Sequence, residues 1–220
     1  MGPLTYCYLI KTRNGYIMAD TGFPGKADIL WNFLEEREIA PESIKLIIIT
    51  HGHFDHTGSL SEIKEKTGAS ILINQSEGLL LKKGISPPVI LTNKWIRKLS
   101  RLDKDLVVPQ VIPDIMVDGN FTLTDYGLDA RVIHTPGHTA GSLSVIIEGR
   151  DAIVGDLAMN FGLLSRFSYI PIIAVNMKEV YQSWRKIIDM GVQTIYPAHG
   201  KVISIDVLKN SLSKLKKTFP

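Results

Sequence analysis

The sequence has little cysteine and no long hydrophobic run. Cys7 is the single cysteine among 220 residues, so an internal disulfide and a disulfide-stapled scaffold are excluded. No apolar stretch approaches the roughly 20 residues that cross a bilayer, and the N-terminus does not have the pattern of a signal peptide. These absences predict a cytoplasmic protein that makes no use of a membrane.

A strong excess of charge is also missing. Lys and Arg total 25 and Asp and Glu total 22, which leaves a net charge of +3. This charge is spread along the chain, whereas nucleic-acid binding needs many clustered Lys and Arg contacts to phosphates. A nucleic-acid partner is therefore disfavoured. Hydrophobic residues make up 45% of the chain, which is enough to fill a core and excludes a disordered chain. The length fits one domain over residues 1–220.

Strand and helix patterns follow one another along the chain. The unbroken apolar run at 45–50 predicts a buried strand, and shorter strands are predicted at 151–154 and 194–196. Apolar spacing predicts helices over 26–38 and 178–190. Many strands with few helices indicate an α+β fold, with two sheets packed face to face and helices on the outer faces. A proline-bounded apolar segment at about 75–113 is interpreted as an insert.

Histidine is concentrated in one short stretch. His51, His53, Asp55 and His56 lie within six residues and directly follow the predicted strand 45–50. In an extended segment, residues two apart point the same way, so His51 and His53 can bind one ion. Asp55 and His56 come where the chain turns into a helix and can face a second ion. Imidazole and carboxylate are ligands that zinc accepts.

Three more residues that can bind a metal ion lie next to predicted strands elsewhere in the chain. His138 lies between two strands, and we expect Asp156 and His199 just past the ends of the strands 151–154 and 194–196. Polar residues at such strand ends are held by a rigid frame, so we expect all these side chains at one end of the sheets.

The segments His51-Gly52-His53-Phe54-Asp55-His56, 134–142 (HTPGHTAGS), 154–156 (VGD) and 196–200 (YPAHG) resemble, in this order, the motifs of the metallo-β-lactamase-fold hydrolases. The resemblance implies an αββα sandwich of two mixed sheets with a two-metal site at one edge. It also implies that His51, His53 and His138 hold one metal and that Asp55, His56 and His199 hold the other. Asp156 and a hydroxide would bridge the two ions. Zinc is the expected metal, with iron or manganese as alternatives.

Two further residues are candidates for contacts to the ligands. Asp20 lies in an Asp-Thr-Gly segment and either orients a metal-bound histidine or forms a turn. His134 is left out of the ligand set, and it either bonds a neighbouring loop or contacts a ligand.

Two metals with a shared water favour hydrolysis of a small ester, lactone or thioester, with catalytic roles for Asp55, His138 and Asp156. A mono-iron persulfide dioxygenase-like enzyme and a phosphodiesterase or nuclease of the same fold are the alternatives. Only 21 residues follow His199, which disfavours the basic C-terminal region that glyoxalase II-like thioesterases use for glutathione. The insert 75–113 and the apolar loop 157–175 either wall a pocket for a small molecule or pack on the sandwich or against a second subunit in a homodimer.

Overall fold

The structure is a computed structural model that describes residues 5–92, 108–160 and 169–215. Its strands form two mixed β-sheets. The first sheet has one antiparallel hairpin, β1–β2, and otherwise parallel neighbours. Its order is β1 (Tyr8–Thr12), β2 (Gly15–Ala19), β3 (Ile44–Ile48), β4 (Ser70–Asn74) and β5 (Ile115–Val117).

The second sheet is antiparallel except for the pair β9 and β10, which run parallel. In chain order its strands are β6 (Phe121–Thr122), β7 (Ala130–His134), β8 (Leu143–Ile147), β9 (Asp151–Met159), β10 (Thr194–His199) and β11 (Ile203–Ser204). These strands lie side by side in the reverse of that order, from β11 to β6.

Helices cover the outer face of each sheet. They are α1 (Ala27–Glu35), α2 (Phe54–Thr57), α3 (Leu60–Thr67), α4 (Gln75–Leu81), α5 (Met177–Asp189) and α6 (Ile205–Leu215). Asn176 caps α5, because its side chain accepts hydrogen bonds from the first-turn amides of Lys178 and Glu179. Trp184 of α5 is fully buried against the second sheet, and its indole N–H donates to the carbonyl of Leu157 at 2.8 Å.

The hydrophobic core has three layers, as the predicted αββα sandwich requires. Strand β3 shows the reason, since its side chains alternate between two buried layers. Leu46 and Ile48 pack between the sheets, and Ile47 packs on the other side beneath α1 and α3. A third cluster lies between the second sheet and the helices α5 and α6. The predicted fold class is confirmed.

Several predicted boundaries were wrong. The strand predicted at 151–154 continues to Met159, and the strand predicted at 194–196 continues to His199, so Asp156 and His199 lie inside strands rather than beyond them. Strand β5 has three residues and β11 has two, too few to produce an alternating pattern in the sequence. The insert 75–113 and the loop 157–175 lie partly outside the described residues, and the single-domain organisation stays a prediction.

The helices of the described ranges are all too short or too polar to cross a membrane.

Candidate metal centre

The first histidine pair lies just beyond the carboxyl end of β3. His51 and His53 are buried in the extended segment that leaves this strand. Helix α2 begins at the next residue and carries Asp55 and His56. The carbonyl of His53 accepts hydrogen bonds from the amides of His56 and Thr57, which fixes the turn between the pair and the helix. The sequence therefore brings four polar side chains to one end of the first sheet.

The other three side chains come from the second sheet. His138 lies in the loop between β7 and β8, Asp156 lies within β9, and His199 is the last residue of β10. Asp156 faces the site because β9 is irregular at the preceding residue. Gly155 has a φ of +53°, in the left-handed region that favours glycine, and the register with β10 shifts nearby.

Three imidazole nitrogens converge on one point. His51 Nε2 lies 2.9 Å from His53 Nδ1, and His138 Nε2 lies 3.0 Å from each of them. These residues form one of the groups whose donor atoms lie within 4.8 Å of one another. A cation with bonds of about 2.0–2.1 Å, the distance for zinc and nitrogen, can reach all three nitrogens at once.

A second group lies beside the first and contains Asp55, His56 and His199. His199 Nε2 is 3.2 Å from Asp55 Oδ2, and His56 Nε2 is 3.8 Å from the same oxygen. Asp156 connects the groups. Its Oδ1 lies 3.3 Å from Nε2 of both His56 and His199, while its Oδ2 lies 3.6 Å from His138 Nε2.

Contacts on the outer side of the rings select the tautomers. His56 Nδ1 lies 2.8 Å from Asp20 Oδ2, and His138 Nδ1 lies 2.8 Å from the carbonyl of Ile173. Both partners accept hydrogen bonds, so each Nδ1 carries a proton and Nε2 is the nitrogen that would bind a cation. His51 Nδ1 faces Thr50 Oγ1 at 3.2 Å, which leaves its Nε2 free in the same way. The inner nitrogens are thus prepared to bind a cation.

The residues fit a bound metal by a second criterion, the satisfaction of buried polar atoms. His53 Nε2, His56 Nε2 and Asp156 Oδ1 are buried and make no hydrogen bond with the described residues. The two histidine nitrogens that lie 3.3 Å from Asp156 Oδ1 do not meet it with hydrogen-bond geometry. Buried polar atoms without partners cost free energy, and a cation would satisfy His56 and Asp156.

The electrostatics differ between the two groups. Burial, followed by repulsion from His138, lowers the pKa of His53 to about 3, and burial also lowers the pKa of His51 and His138. Burial alone would lower the pKa of His199 too, but the neighbouring carboxylates of Asp156 and Asp55 raise that pKa to about 9. The three-histidine group is therefore neutral, whereas the carboxylates of the group with Asp55 keep its histidines protonated when no metal is bound.

Carboxylates of the second group remain ionised. Burial would raise the pKa of Asp55, but the charge of His56 and the hydrogen bond with His199 lower it to about 2. The pKa of Asp156 is likewise lowered by His56 and His199 against the effect of burial. Ionised carboxylates at this place favour a cation.

Asp20 and His134 have different surroundings. Asp20 accepts hydrogen bonds from the Thr50 amide at 2.8 Å and the Thr50 hydroxyl at 2.7 Å, besides its contact to His56. Asp20 therefore holds the ring of a candidate ligand, His56, in place. His134 does not do so: its Nε2 bonds the carbonyl of Ala140 at 2.8 Å, in the loop that carries His138. His134 thus bonds the backbone of a neighbouring loop, which was the first of its two interpretations.

The sequence interpretation missed two polar residues at the centre. Thr5 donates to Asp55 Oδ2 at 3.1 Å, and Glu77 on α4 is buried against the loops of His51 and His138. Glu77 occurs in an ordinary helical pattern, where an acidic residue usually faces solvent, so no local signal marked it.

The fold and the centre define a metal-dependent hydrolase built on a two-sheet sandwich. The chain belongs to the metallo-β-lactamase superfamily, whose family model matches residues 2–199. Divalent metal ions are a property of this fold, and the histidine and aspartate cluster occupies the place where they would bind.

Relatives and solved structures agree with this assignment. The chain is 31% identical over 196 residues to the probable metallo-hydrolase MJ0888 of Methanocaldococcus jannaschii, with 89% of this chain and 87% of that protein covered. It is 28% identical over 127 residues to a hydroxyacylglutathione hydrolase of Shewanella pealeana, where 57% of this chain spans only 36% of the relative. The di-iron-bound form of TTHA1623 superposes with a TM-score of 0.67 at 20% identity, covering 96% of each chain, which shows a shared fold.

Proposed function

We propose that this protein is a binuclear hydrolase that cleaves a small ester, lactone or thioester. The observation that carries the proposal is the position of Asp156. One of its oxygens faces His56 and His199, and the other faces His138, so one carboxylate can serve two cations. In this assignment His51, His53 and His138 hold one ion, Asp55, His56 and His199 hold the other, and Asp156 is shared.

Two bound cations would lower the pKa of a water between them and polarise the oxygen of the scissile carbonyl. Asp55 is the carboxylate best placed to take part in proton transfer, because its side chain is 14% exposed and that of Asp156 only 5%. Its low pKa keeps it ionised at neutral pH. Thr5, which donates to Asp55 Oδ2, holds this carboxylate in place.

Zinc is the metal that we propose. The donors are imidazole nitrogens and carboxylate oxygens, which suit zinc and also suit iron. The structural relative TTHA1623 is described in a di-iron-bound form, so iron is the competing assignment. Metal analysis of the purified protein should give close to two zinc ions per chain. One iron per chain together with oxygen consumption would instead indicate the mono-iron dioxygenase.

The two apolar segments of the chain meet beside the centre, which supports a substrate with an apolar group. Leu91 and Ile173 form an antiparallel β-bridge, and the amide of Thr92 donates to the carbonyl of Ile172. The same strip of chain contacts His138, whose Nδ1 donates to the Ile173 carbonyl and whose own carbonyl accepts from Val175. The described parts of the insert and the loop, at 90–92 and 172–175, therefore run together along one side of the centre.

Relatives support the ester or thioester class. Hydroxyacylglutathione hydrolases, which are named for a thioesterase activity, are among the matching proteins, although this chain spans only part of them. The small net charge argues against a polyanionic substrate such as RNA. A cytoplasmic location and a homodimer through the apolar loops stay predictions.

The test is a substrate series with increasing acyl chain length. We expect kcat/KM for 4-nitrophenyl esters and for acyl lactones to rise with chain length, by up to ~0.8 kcal/mol per buried methylene, until the pocket is full. Ile172→Ala should flatten this dependence, because Ile172 is 39% exposed on the strip beside His138. Ile29→Ala, on the outer helix α1, is the matched control. A flat dependence with efficient cleavage of bis(4-nitrophenyl) phosphate would contradict the proposal and favour the phosphodiesterase alternative.

A further inference from the structure

A buried glutamate joins the two loops that carry the three-histidine group. Glu77 is 2% exposed and lies on α4. Its Oε2 accepts a hydrogen bond from the Gly52 amide. Its Oε1 accepts one from the Gly141 amide, at 2.9 Å, and one from the hydroxyl of Thr139. One carboxylate thus receives three hydrogen bonds from two separate loops.

The residues that donate to Glu77 lie close to the three histidines in the sequence. Gly52 is the residue between His51 and His53, and Thr139 directly follows His138. The first loop leaves β3 of the first sheet, and the second loop joins β7 to β8 of the second sheet. Glu77 therefore holds together the two backbone segments whose histidine nitrogens must meet within about 3 Å.

The Glu77 carboxylate does not cap its own helix, α4. Asn74 is the N-cap of α4, and its side-chain oxygen accepts from the Ser76 amide at 2.9 Å. The three donors to Glu77 all come from outside α4. A purely local helical role therefore does not account for burying this acid.

The shape of the second loop is adapted to Glu77. A Cβ atom on Gly141 would lie 2.7 Å from Glu77 Cγ and 2.8 Å from Glu77 Oε1, so only glycine permits this approach. Ser142 Oγ lies 2.8 Å from Thr139 Oγ1 and accepts from the Thr139 amide at 3.1 Å. These contacts hold the Thr139 hydroxyl where it can donate to Glu77.

We infer that Glu77 is a positioning residue that sets the separation of the His51–His53 and His138 loops and thereby the metal affinity of the three-histidine group. This inference rests on the proposed metal centre. All three partners are hydrogen-bond donors, which an ionised carboxylate satisfies and an amide cannot satisfy completely. Glu77 contacts the peptide backbone around the ligands and not the ligand rings.

The test compares Glu77→Gln and Glu77→Ala with Leu81→Ala. Leu81 is buried on the same helix and packs in the outer apolar cluster, so its truncation lowers fold stability while the Glu77 carboxylate and its three donors are kept. Zinc affinity is measured by competition with a chelator, at a temperature where every variant is folded. We expect Glu77→Ala to weaken zinc binding by the three-histidine group by about 10–100-fold, Glu77→Gln to weaken it less, and Leu81→Ala to leave it unchanged.

A second measurement does not depend on metal. In the metal-free protein, the amide protons of Gly52 and Gly141 should exchange slowly, and Glu77→Ala should make both exchange at least 10-fold faster than in Leu81→Ala. Thr139→Val should also weaken zinc binding and speed amide exchange, each to a smaller extent, and Thr139→Ser should restore the wild-type values. This pair of variants provides the test if Glu77→Ala does not fold. Unchanged zinc affinity and unchanged exchange in the Glu77 variants would overturn the inference. If the wild-type chain binds no metal but the exchange result holds, the proposed function fails and the link between the loops stands.

Discussion

Single side chains give the centre an uneven charge. The carboxylates of Asp20, Asp55 and Asp156 all lie near His56, and the pKa of His56 is raised by them against the opposing effect of burial. The pKa of His199 is also raised. Without metal, protons on these two histidines offset the buried negative charge. Two divalent cations would take over that role, because metal binding displaces protons from its ligands.

The metal-free protein should consequently lose stability as the pH rises above neutrality. The pKa of His199 is about 9 in the folded protein and 6.5 is its ordinary value. A raised pKa contributes stability that is complete below pH 6.5 and is lost as the pH rises through about 9. His56 acts in the same direction. One pKa unit corresponds to about 1.4 kcal/mol, so the loss should be a few kcal/mol at most.

Urea denaturation of the metal-free protein at several pH values between 6 and 9.5 measures this loss. His199→Gln should make the curve flatter, since the glutamine side chain does not titrate. Saturating zinc should flatten it as well, because the cation replaces the proton. A metal-free stability that rises over this range would contradict the charge distribution described for the centre.

Asp156 allows a direct test of the binuclear assignment. Asp156→Ala should lower the metal content from two ions per chain toward one. It should also reduce kcat/KM by more than about 100-fold, because even partners of metal ligands typically account for 10–100-fold. Asp151→Asn, at the other end of the same strand, is the control and should change neither quantity. Two retained ions with normal turnover would show that Asp156 is not shared between metals.

Among the secondary-structure elements, β9 determines the shape of the centre. It runs from Asp151 to Met159, and the left-handed conformation of Gly155 interrupts the regular alternation of its side chains. A Cβ at Gly155 would lie 2.5 Å from Thr50 Oγ1, the hydroxyl that bonds Asp20 and faces His51. This glycine lets the two sheets approach each other at the metal centre.

Gly155→Ala should therefore lower the free energy of unfolding by more than the strain of its left-handed backbone conformation alone would. An L-residue in the left-handed region loses roughly 1–2 kcal/mol, and the contact with Thr50 adds to this loss. Gly149→Ala is the matched control, because Gly149 has a φ of +65° and nothing within 4 Å of its Cβ position. Denaturant titrations should show Gly155→Ala to be the less stable variant by at least about 1 kcal/mol, with reduced metal content. Equal losses in the two variants would show that the approach of Thr50 has no energetic importance.

Strand and helix patterns predicted the layers of the fold but not its details. The apolar run 45–50 predicted β3, because a strand that is buried on both faces has a nearly continuous apolar sequence. The continuation of β9 past Val154 was missed, since a glycine and an aspartate normally end a strand pattern. Candidate ligands could be named from their residue types and their positions near strand ends. Glu77 could not, because its role depends on two loops that are distant in sequence and meet only in the folded chain.

In the molecule as a whole, the centre lies where the two sheets adjoin. His51, His53, Asp55 and His56 follow the first sheet, and His138, Asp156 and His199 belong to the second. At the same end, the Leu143 amide donates to the Thr50 carbonyl at 2.8 Å, and the Tyr6 amide donates to the Ala198 carbonyl at 2.8 Å. Each proposed ion takes ligands from both sheets, so metal binding joins the two halves of the sandwich.

Metal removal should therefore lower the stability of the whole sandwich. A ligand that binds only the folded state adds RT ln(1 + [L]/Kd), which is about 2.7 kcal/mol at 100 times Kd. The unfolding midpoint of the metal-free protein should rise with the logarithm of the zinc concentration, and Asp156→Ala should respond less. Magnesium at the same concentration is the control, because it prefers oxygen ligands in octahedral geometry and should bind this histidine-rich centre poorly. Equal stabilisation by both metals, or an equal response from Asp156→Ala, would indicate that the cations bind elsewhere and that the ligands described here do not connect the sheets through a metal.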